Sequence, residues 1–296
     1  MACAICGGTF SEYVGYPGSG TGARPLPFDR IGLCARCGSG TALPGLDQSA
    51  LDSYYASGSY WTSTHETHQL VHAASQARIR LSACLPFVEN GLRLQIADIG
   101  SGHGFIAREA AKSGLNVVGY DFIEPDDNAA ARLEYLGLPF PVRRIGSIDQ
   151  LDSKPGLVFL NQVLEHVADP HAFLKQIISN VLPGSVVHVE TPNSDYRFKT
   201  DVFPHTLFFS TRSFEFLGKR LSVETLLCES FGLWPAPKFT PRGSAQRLAT
   251  RALSACGRLG LDGTARQLDR FIWRYDRIGL DSCIWLRWIF RVGKQP

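Results

Sequence analysis

Apolar residues in this chain come in short runs separated by polar, glycine-bearing turns, and between about 90 and 240 the runs alternate with segments of helical spacing. Leu94, Ile96 and Ala97 open the first run. Four more follow at 116–121, 141–145, 156–161 and 185–190, each short enough for a buried strand. Leu182-Pro183-Gly184 reads as the break between a helix and the last of these. Two further strands are expected at 222–229 and 233–239, and the spacing beyond 240 is mostly helical. Strands and helices in alternation predict an α/β sheet that binds ligands outside the carboxyl ends of its strands.

Directly after the first run the chain reads Asp98-Ile99-Gly100-Ser101-Gly102-His103-Gly104. Glycines in this pattern let a strand turn tightly into a helix while the backbone approaches a ligand, because no Cβ intervenes. A dinucleotide loop, Gly-x-Gly-x-x-Gly, needs a third glycine where this chain has Phe105, so a dehydrogenase is disfavoured. The second run ends in Asp121, 17 residues after Gly104. That is close to the ~20-residue spacing that brings an acid to a ribose. The fourth run leads into Leu164-Glu165-His166-Val167-Ala168-Asp169-Pro170, and Thr191-Pro192-Asn193 closes the fifth.

This ordered set resembles the class I S-adenosylmethionine-dependent methyltransferases over about residues 75–240. The resemblance implies a Rossmann-like α/β fold, with a seven-stranded sheet of order 3-2-1-4-5-7-6 and S-adenosyl-L-methionine as cofactor. It places Asp98, Gly100, Ser101, Gly102 and Gly104 at the cofactor, Asp121 on the ribose, Phe122 beside the adenine, and Ser147 and Ile148 at the usual adenine contact. Asn161 and Gln162 belong to the segment that closes over the cofactor in that family. Ser147 and Gly156 stand where acids are usual, which keeps a non-catalytic scaffold of the same fold as one reading.

The first forty residues carry Cys3-x-x-Cys6 and Cys34-x-x-Cys37, separated by 27 residues. Four thiolates complete a tetrahedral Zn²⁺ site, and a set with no open position is structural. Two disulfides are the competing reading; no signal peptide is evident, and Cys84, Cys228, Cys256 and Cys283 are scattered, which favours metal. The module is similar to the N-terminal zinc domain of sugar C-methyltransferases that act on nucleotide-linked deoxysugars. The aromatic stretch from Tyr54 and Tyr55 to Tyr60 and Trp61 resembles the junction that follows it there. Residues 201–210 resemble the segment of that group that carries the acceptor histidine, which implies His205 as the base. Pro204 and Phe208 replace its polar neighbours, and this points to O- or N-methylation of a sugar, nucleotide-sugar or lipid-linked glycan by in-line transfer. His65, His68 and His72 recur at helical spacing and read as a solvated helix face.

The expected divisions are a zinc-binding module (1–45), an aromatic and helical linker (46–90), a methyltransferase domain (91–240) and a basic helical tail (241–296). A chain of 296 residues, 44% hydrophobic, holds one such domain with small additions. No run of 18 apolar residues is present to span a membrane. The net charge of +3 conceals a tail with eleven Lys or Arg against four Asp over 240–296. Arginines among aromatics at 270–275 and 285–291 suit an anionic membrane surface or a cover over the core. The same charge suits phosphates, so an RNA methyltransferase with a zinc module is the alternative acceptor class. The expected location is the cytoplasm, with peripheral contact at the inner face of the membrane.

Overall fold

The computed structural model describes residues 2–18, 27–56, 67–89, 91–134, 136–151, 154–233, 240–280 and 282–293. Its strands are β1 (Glu12–Gly15), β2 (Arg30–Leu33), β3 (Gly40–Leu43), β4 (Leu94–Ile99), β5 (Val117–Ile123), β6 (Val142–Arg144), β7 (Leu157–Asn161), β8 (Val186–Pro192), β9 (Leu207–Phe208), β10 (Glu224–Leu233) and β11 (Cys283–Arg291). Its helices are α1 (Gln48–Ala56), α2 (Thr67–Cys84), α3 (Phe105–Lys112), α4 (Asp127–Glu134), α5 (Pro170–Ser179), α6 (Thr211–Leu221), α7 (Pro241–Arg258) and α8 (Asp262–Trp273).

The main sheet has seven strands in the order β6-β5-β4-β7-β8-β11-β10. This is the expected 3-2-1-4-5-7-6. Pairings among β4 to β8 are parallel, and β11 runs antiparallel between β8 and β10. Successive side chains of a strand point to opposite faces. Accordingly Ile96, Leu157, Phe159 and Ile289 pack with α2, α3 and α4, while Ala97, Val158, Leu160, Trp288 and Phe290 pack with α5 and α6. Helix starts are locally specified: Asp169 caps α5 by accepting from the Ala172 amide, and Ser210 and Ser213 form a reciprocal cap on α6.

The carboxyl-terminal part departs from expectation. The sixth strand runs to Leu233, and of the expected seventh, 234–239 lie outside the described residues. The seventh strand is β11, inside the segment read as a helical tail. The aromatic run 285–290 is therefore buried within the sheet, with Trp288, Ile289 and Phe290 fully covered. The other part of that segment is helical as expected: α7 and α8 fold back on α2, exposing Leu248, Leu259, Leu261 and Phe271. No helix among the described residues is long and apolar enough to cross a membrane.

The N-terminal strands form a second, four-stranded sheet, β1-β2-β3-β9. Its last member comes from the segment that carries His205, so the cysteine module and the main domain share this sheet. His72, expected on a solvated face, instead has its Nδ1 3.0 Å from Asp269 Oδ1 and 2.8 Å from the Tyr275 hydroxyl, tying α2 to α8. His65 and the Tyr60-Trp61 pair lie outside the described residues.

Candidate functional site

The carboxyl ends of β4, β5 and β7 surround a pocket of about 650 Å³. Gly100, Gly102 and Gly104 take φ of 72°, 55° and 68° in the turn after β4. A side chain is strained in that left-handed region. A Cβ at Gly100 would also stand 2.7 Å from Val163 Cγ2, and one at Gly104 2.6 Å from Leu133 Cδ1. The turn is anchored by Glu124, whose Oε2 accepts from the Gly102 amide at 2.6 Å and whose Oε1 accepts from the Asp126 amide at 2.9 Å. Glu124 lines the pocket, and burial pushes its carboxyl above the usual range.

Asp121 does not reach this pocket. Because β5 continues to Ile123, Asp121 is held inside the strand, 3% exposed, accepting from Gln95 Nε2 and Arg143 Nε at 2.8 Å each. The carboxylate at the end of the strand is Glu124. Phe122 is likewise a core residue on the α3 and α4 side, and Ile123 faces the pocket instead. Ser147 and Ile148 are not in the lining; Ile148 packs in the core, and Arg144, Ile145 and Gly146 occupy the wall.

The other expected residues converge. Asp98 is 1% exposed, accepts from the Tyr120 hydroxyl through Oδ2, and has its carboxyl pushed up to about 7 by burial. Asn161 and Gln162 line the pocket. Asp98 Oδ1, Ser101 Oγ, Asn161 Oδ1 and Gln162 Nε2 are buried with no hydrogen-bond partner among the described residues. Gln162 holds φ of 58°, a conformation that costs a non-glycine residue about 1–2 kcal/mol. Strain and unpaired polar atoms beside one cavity are the signature of a ligand site.

A second group of residues stands behind one wall. β7 leads into a single turn, Leu164–His166, which puts His166 in the pocket lining and Glu165 in the interior. Glu165 is 1% exposed, neither carboxylate oxygen has a hydrogen-bond partner among the described residues, and burial pushes the carboxyl up to about 8. His205 is outside the lining, its ring 4.9 Å from that of His166. Its Nδ1 lies 3.1 Å from Asp195 Oδ2, and Lys199 Nζ lies 2.7 Å from the same oxygen. Burial alone would raise Asp195, but the imidazole and the ammonium outweigh it and hold the carboxyl low. Burial and the neighbouring His205 drive His166 well below its ordinary value, leaving it neutral at pH 7.

Thr206 fixes this wall. Its amide and hydroxyl donate to the Glu165 carbonyl at 2.7 and 3.0 Å, and its own carbonyl accepts from the Ala42 amide of β3 at 2.8 Å. The Tyr16 hydroxyl donates to the His205 carbonyl at 3.0 Å. The cysteine module thus holds the strand that bears His205. In that module Cys3, Cys6, Cys34 and Cys37 each bring a sulfur within 4.8 Å of the others. The four thiols are free, with Cys3 and Cys37 at 3.5 Å and Cys6 and Cys34 at 3.4 Å. A disulfide needs ~2.05 Å. Contact between Cys3 and Cys37 pulls one thiol of the pair down and pushes the other up, which favours a shared proton between them.

Sequence reasoning missed Glu124 and Asp195 as site residues. Glu124 carried a signal, an acid just before Pro125 at the start of a turn. Asp195 carried none, because its partner His205 is reached only through tertiary folding.

A family profile for methyltransferase domains matches residues 37–237. Ubiquinone biosynthesis O-methyltransferases of Maricaulis maris and Rhizobium rhizogenes are 30% and 32% identical over 162 and 164 residues, which are 51% and 50% of this chain. The matches span 63% and 64% of those relatives, so under two thirds of their length is covered. Among solved structures, the complex of a Haloferax volcanii methyltransferase activator with a methyltransferase aligns over 85% of this chain and 99% of that chain. Its TM-score of 0.51 at 15% identity is a likeness of fold.

Proposed function

This chain belongs to the methyltransferase domain family, and on that premise we propose that it O-methylates a hydroxylated small molecule using S-adenosylmethionine. One observation carries the reading: the strand ends enclose a pocket in which Glu124 anchors the glycine turn while Asn161 and Gln162 leave polar atoms without a partner among the described residues. Those groups fit the cofactor. A carboxylate has about four lone-pair sites, and the two amides use two of Glu124's, which leaves capacity for a ribose diol. Gly100 and Gly102 permit close approach to the backbone, and Ile99, Ile123 and Ile145 supply apolar wall for a base.

Bound there, the cofactor supplies a methyl on a sulfonium, an electrophile for in-line displacement. The chain's own part is to orient and to manage a proton. The acceptor hydroxyl must approach along one line, to about 3 Å, and lose its proton as the new bond forms. The Glu165, His166 and His205 wall is the group positioned to handle that proton, with His166 reaching the pocket. The names of the relatives specify O-methylation, and sugar or glycan hydroxyls are the acceptor class that the cysteine module and the His205 segment favour. We propose a structural Zn²⁺ for Cys3, Cys6, Cys34 and Cys37: four thiols without an open position suit that ion.

Calorimetric titration with S-adenosylmethionine, followed by transfer of labelled methyl to nucleotide sugars and to phenols, tests this. Binding with labelled sugar product supports the full reading, labelled phenol moves the acceptor class, and no binding overturns the proposal.

A further inference from the structure

We propose that Asp52 of α1 selects the acceptor: its carboxylate holds a protonated amine beside the hydroxyl that is methylated, so the acceptor is an amino alcohol of the amino-sugar kind. The inference rests on the methyltransferase reading above and narrows its acceptor.

Asp52 lines the pocket together with Gln48, one helical turn before it, and with His166 and Val167. The chain fixes its place. Asp47 starts α1 by accepting from the Ala50 amide at 2.9 Å and the Ser49 hydroxyl at 2.8 Å, and Leu51 is fully buried in one cluster with Tyr16, Phe28 and Phe208. Gln48 is then oriented at both ends of its amide: Oε1 accepts from the Ala168 amide at 3.0 Å, and Nε2 donates to Asp52 Oδ1 at 2.9 Å. Ala168 presents a donor, so the oxygen of Gln48 must face it and the NH2 is left for Asp52. One carboxylate oxygen is engaged in this way, and Oδ2 has no hydrogen-bond partner among the described residues.

The other charges of the lining are already committed. Arg144 donates to Asp127 and to the Glu124 carbonyl, at 2.7 Å each, and Glu124 anchors the glycine turn. His166 is neutral at pH 7. Among the described lining residues, Asp52 is therefore the remaining formal charge, and it stands on the acceptor wall. A wall of that kind attracts a cationic group on the acceptor and repels a carboxylate or phosphate beside it. An ammonium has donors and no lone pair, so a nitrogen held by Asp52 is no nucleophile and the neighbouring hydroxyl reacts instead. Its oxygen bonds the methyl as the carbon–sulfur bond breaks, and its proton leaves to the histidine wall.

The test loads the full chain with S-adenosylhomocysteine, the demethylated cofactor, and titrates it calorimetrically with glucosamine and with N-acetylglucosamine, the same ring with its amine made neutral. Glucosamine should bind about tenfold or more tighter. Asp52→Asn, at an exposed position, should erase that difference while melting and S-adenosylhomocysteine affinity stay as they were, and Asp52→Lys should turn the preference toward glucuronate. Glucosamine bound no better than its acetylated form, or a preference that survives Asp52→Asn, overturns the proposal. Loss of S-adenosylhomocysteine affinity in a folded Asp52→Asn overturns it too, by assigning the carboxylate to the cofactor's own ammonium. Failure of the methyltransferase reading shows separately, as absent S-adenosylhomocysteine binding in the unaltered chain.

Discussion

Replacing Glu124 by Gln separates the structural account of the cofactor site from the one suggested by strand spacing. The glutamine keeps the shape but loses the charge, and of the Gly102 and Asp126 amides that the two carboxylate oxygens now accept from at 2.6 and 2.9 Å, one must face its NH2. A hydrogen bond to a charged group is worth about 1.5–3 kcal/mol. One such bond lost to the cofactor, at 1.4 kcal/mol per tenfold, weakens S-adenosylmethionine binding about 10- to 150-fold. Asp121→Asn should behave differently. Its carboxylate is committed to Gln95 and Arg143 and is 3% exposed, so the variant should lose about 1–3 kcal/mol of stability and keep its affinity. Calorimetric titration of both variants beside the unaltered chain, with urea melts, reads the two effects. The reasoning is refuted if Asp121→Asn loses the cofactor while remaining folded and Glu124→Gln binds as tightly as the parent.

Gly104→Ala places a Cβ at φ 68° and 2.6 Å from Cδ1 and Cγ of the fully buried Leu133; backbone strain of about 1–2 kcal/mol plus overpacking of about 1–3 should appear as a lower urea midpoint, and an unchanged midpoint contradicts the geometry. Asp98 has a carboxyl pushed up to about 7 by burial, so the folded chain keeps this proton through a range in which the unfolded chain, near 3.9, has released it. Stability should therefore fall as pH rises from about 4 to 7, by at most ~1.4 kcal/mol per unit, and Asp98→Asn should flatten that slope in denaturant titrations across pH. Cys34→Ser removes one of four clustered thiols that belong to the same buried cluster as Phe209, Phe214 and Leu217; metal per chain, measured by elemental analysis, should fall with the melting temperature, and full retention of zinc argues against the four-thiol site.

Much of the fold was legible because the glycine turn, the Leu-Glu-His-Val segment and the short apolar runs each fall at a strand end. The seventh strand was not, for a physical reason. β11 is central, with both faces covered, so it shows no alternation of apolar and polar residues, and periodicity cannot tell such a run from a buried helix. Arg287 deepened the ambiguity: it is 7% exposed, lying 4.1 Å over the Phe231 ring and 3.5 Å from Glu229, a burial that only the folded partners allow. At the pocket, the spacing rule pointed to Asp121 alone, and the extent of β5, which runs on to Ile123, brings Glu124 to the pocket instead. The four cysteines were readable from local spacing alone, whereas the Asp195 and His205 pairing depends on how the segment after β8 turns back. Proximity of that kind leaves no periodic trace.

The shared small sheet also stiffens one side of the pocket. The wall carrying His205 is sewn to the cysteine module by the Ala42 to Thr206 bond and the Tyr16 hydroxyl, and to the Glu165 turn by Thr206 itself. Swinging that wall outward would break bonds on two sides at once, so its amides belong among the slow exchangers of the protein. On the same side lies α1, which lends Gln48 and Asp52 to the pocket, accepts from the Ala168 amide through Gln48 and buries Leu51 against the small sheet. The small sheet, the Glu165 turn and α1 are thereby tied into one body beside the pocket.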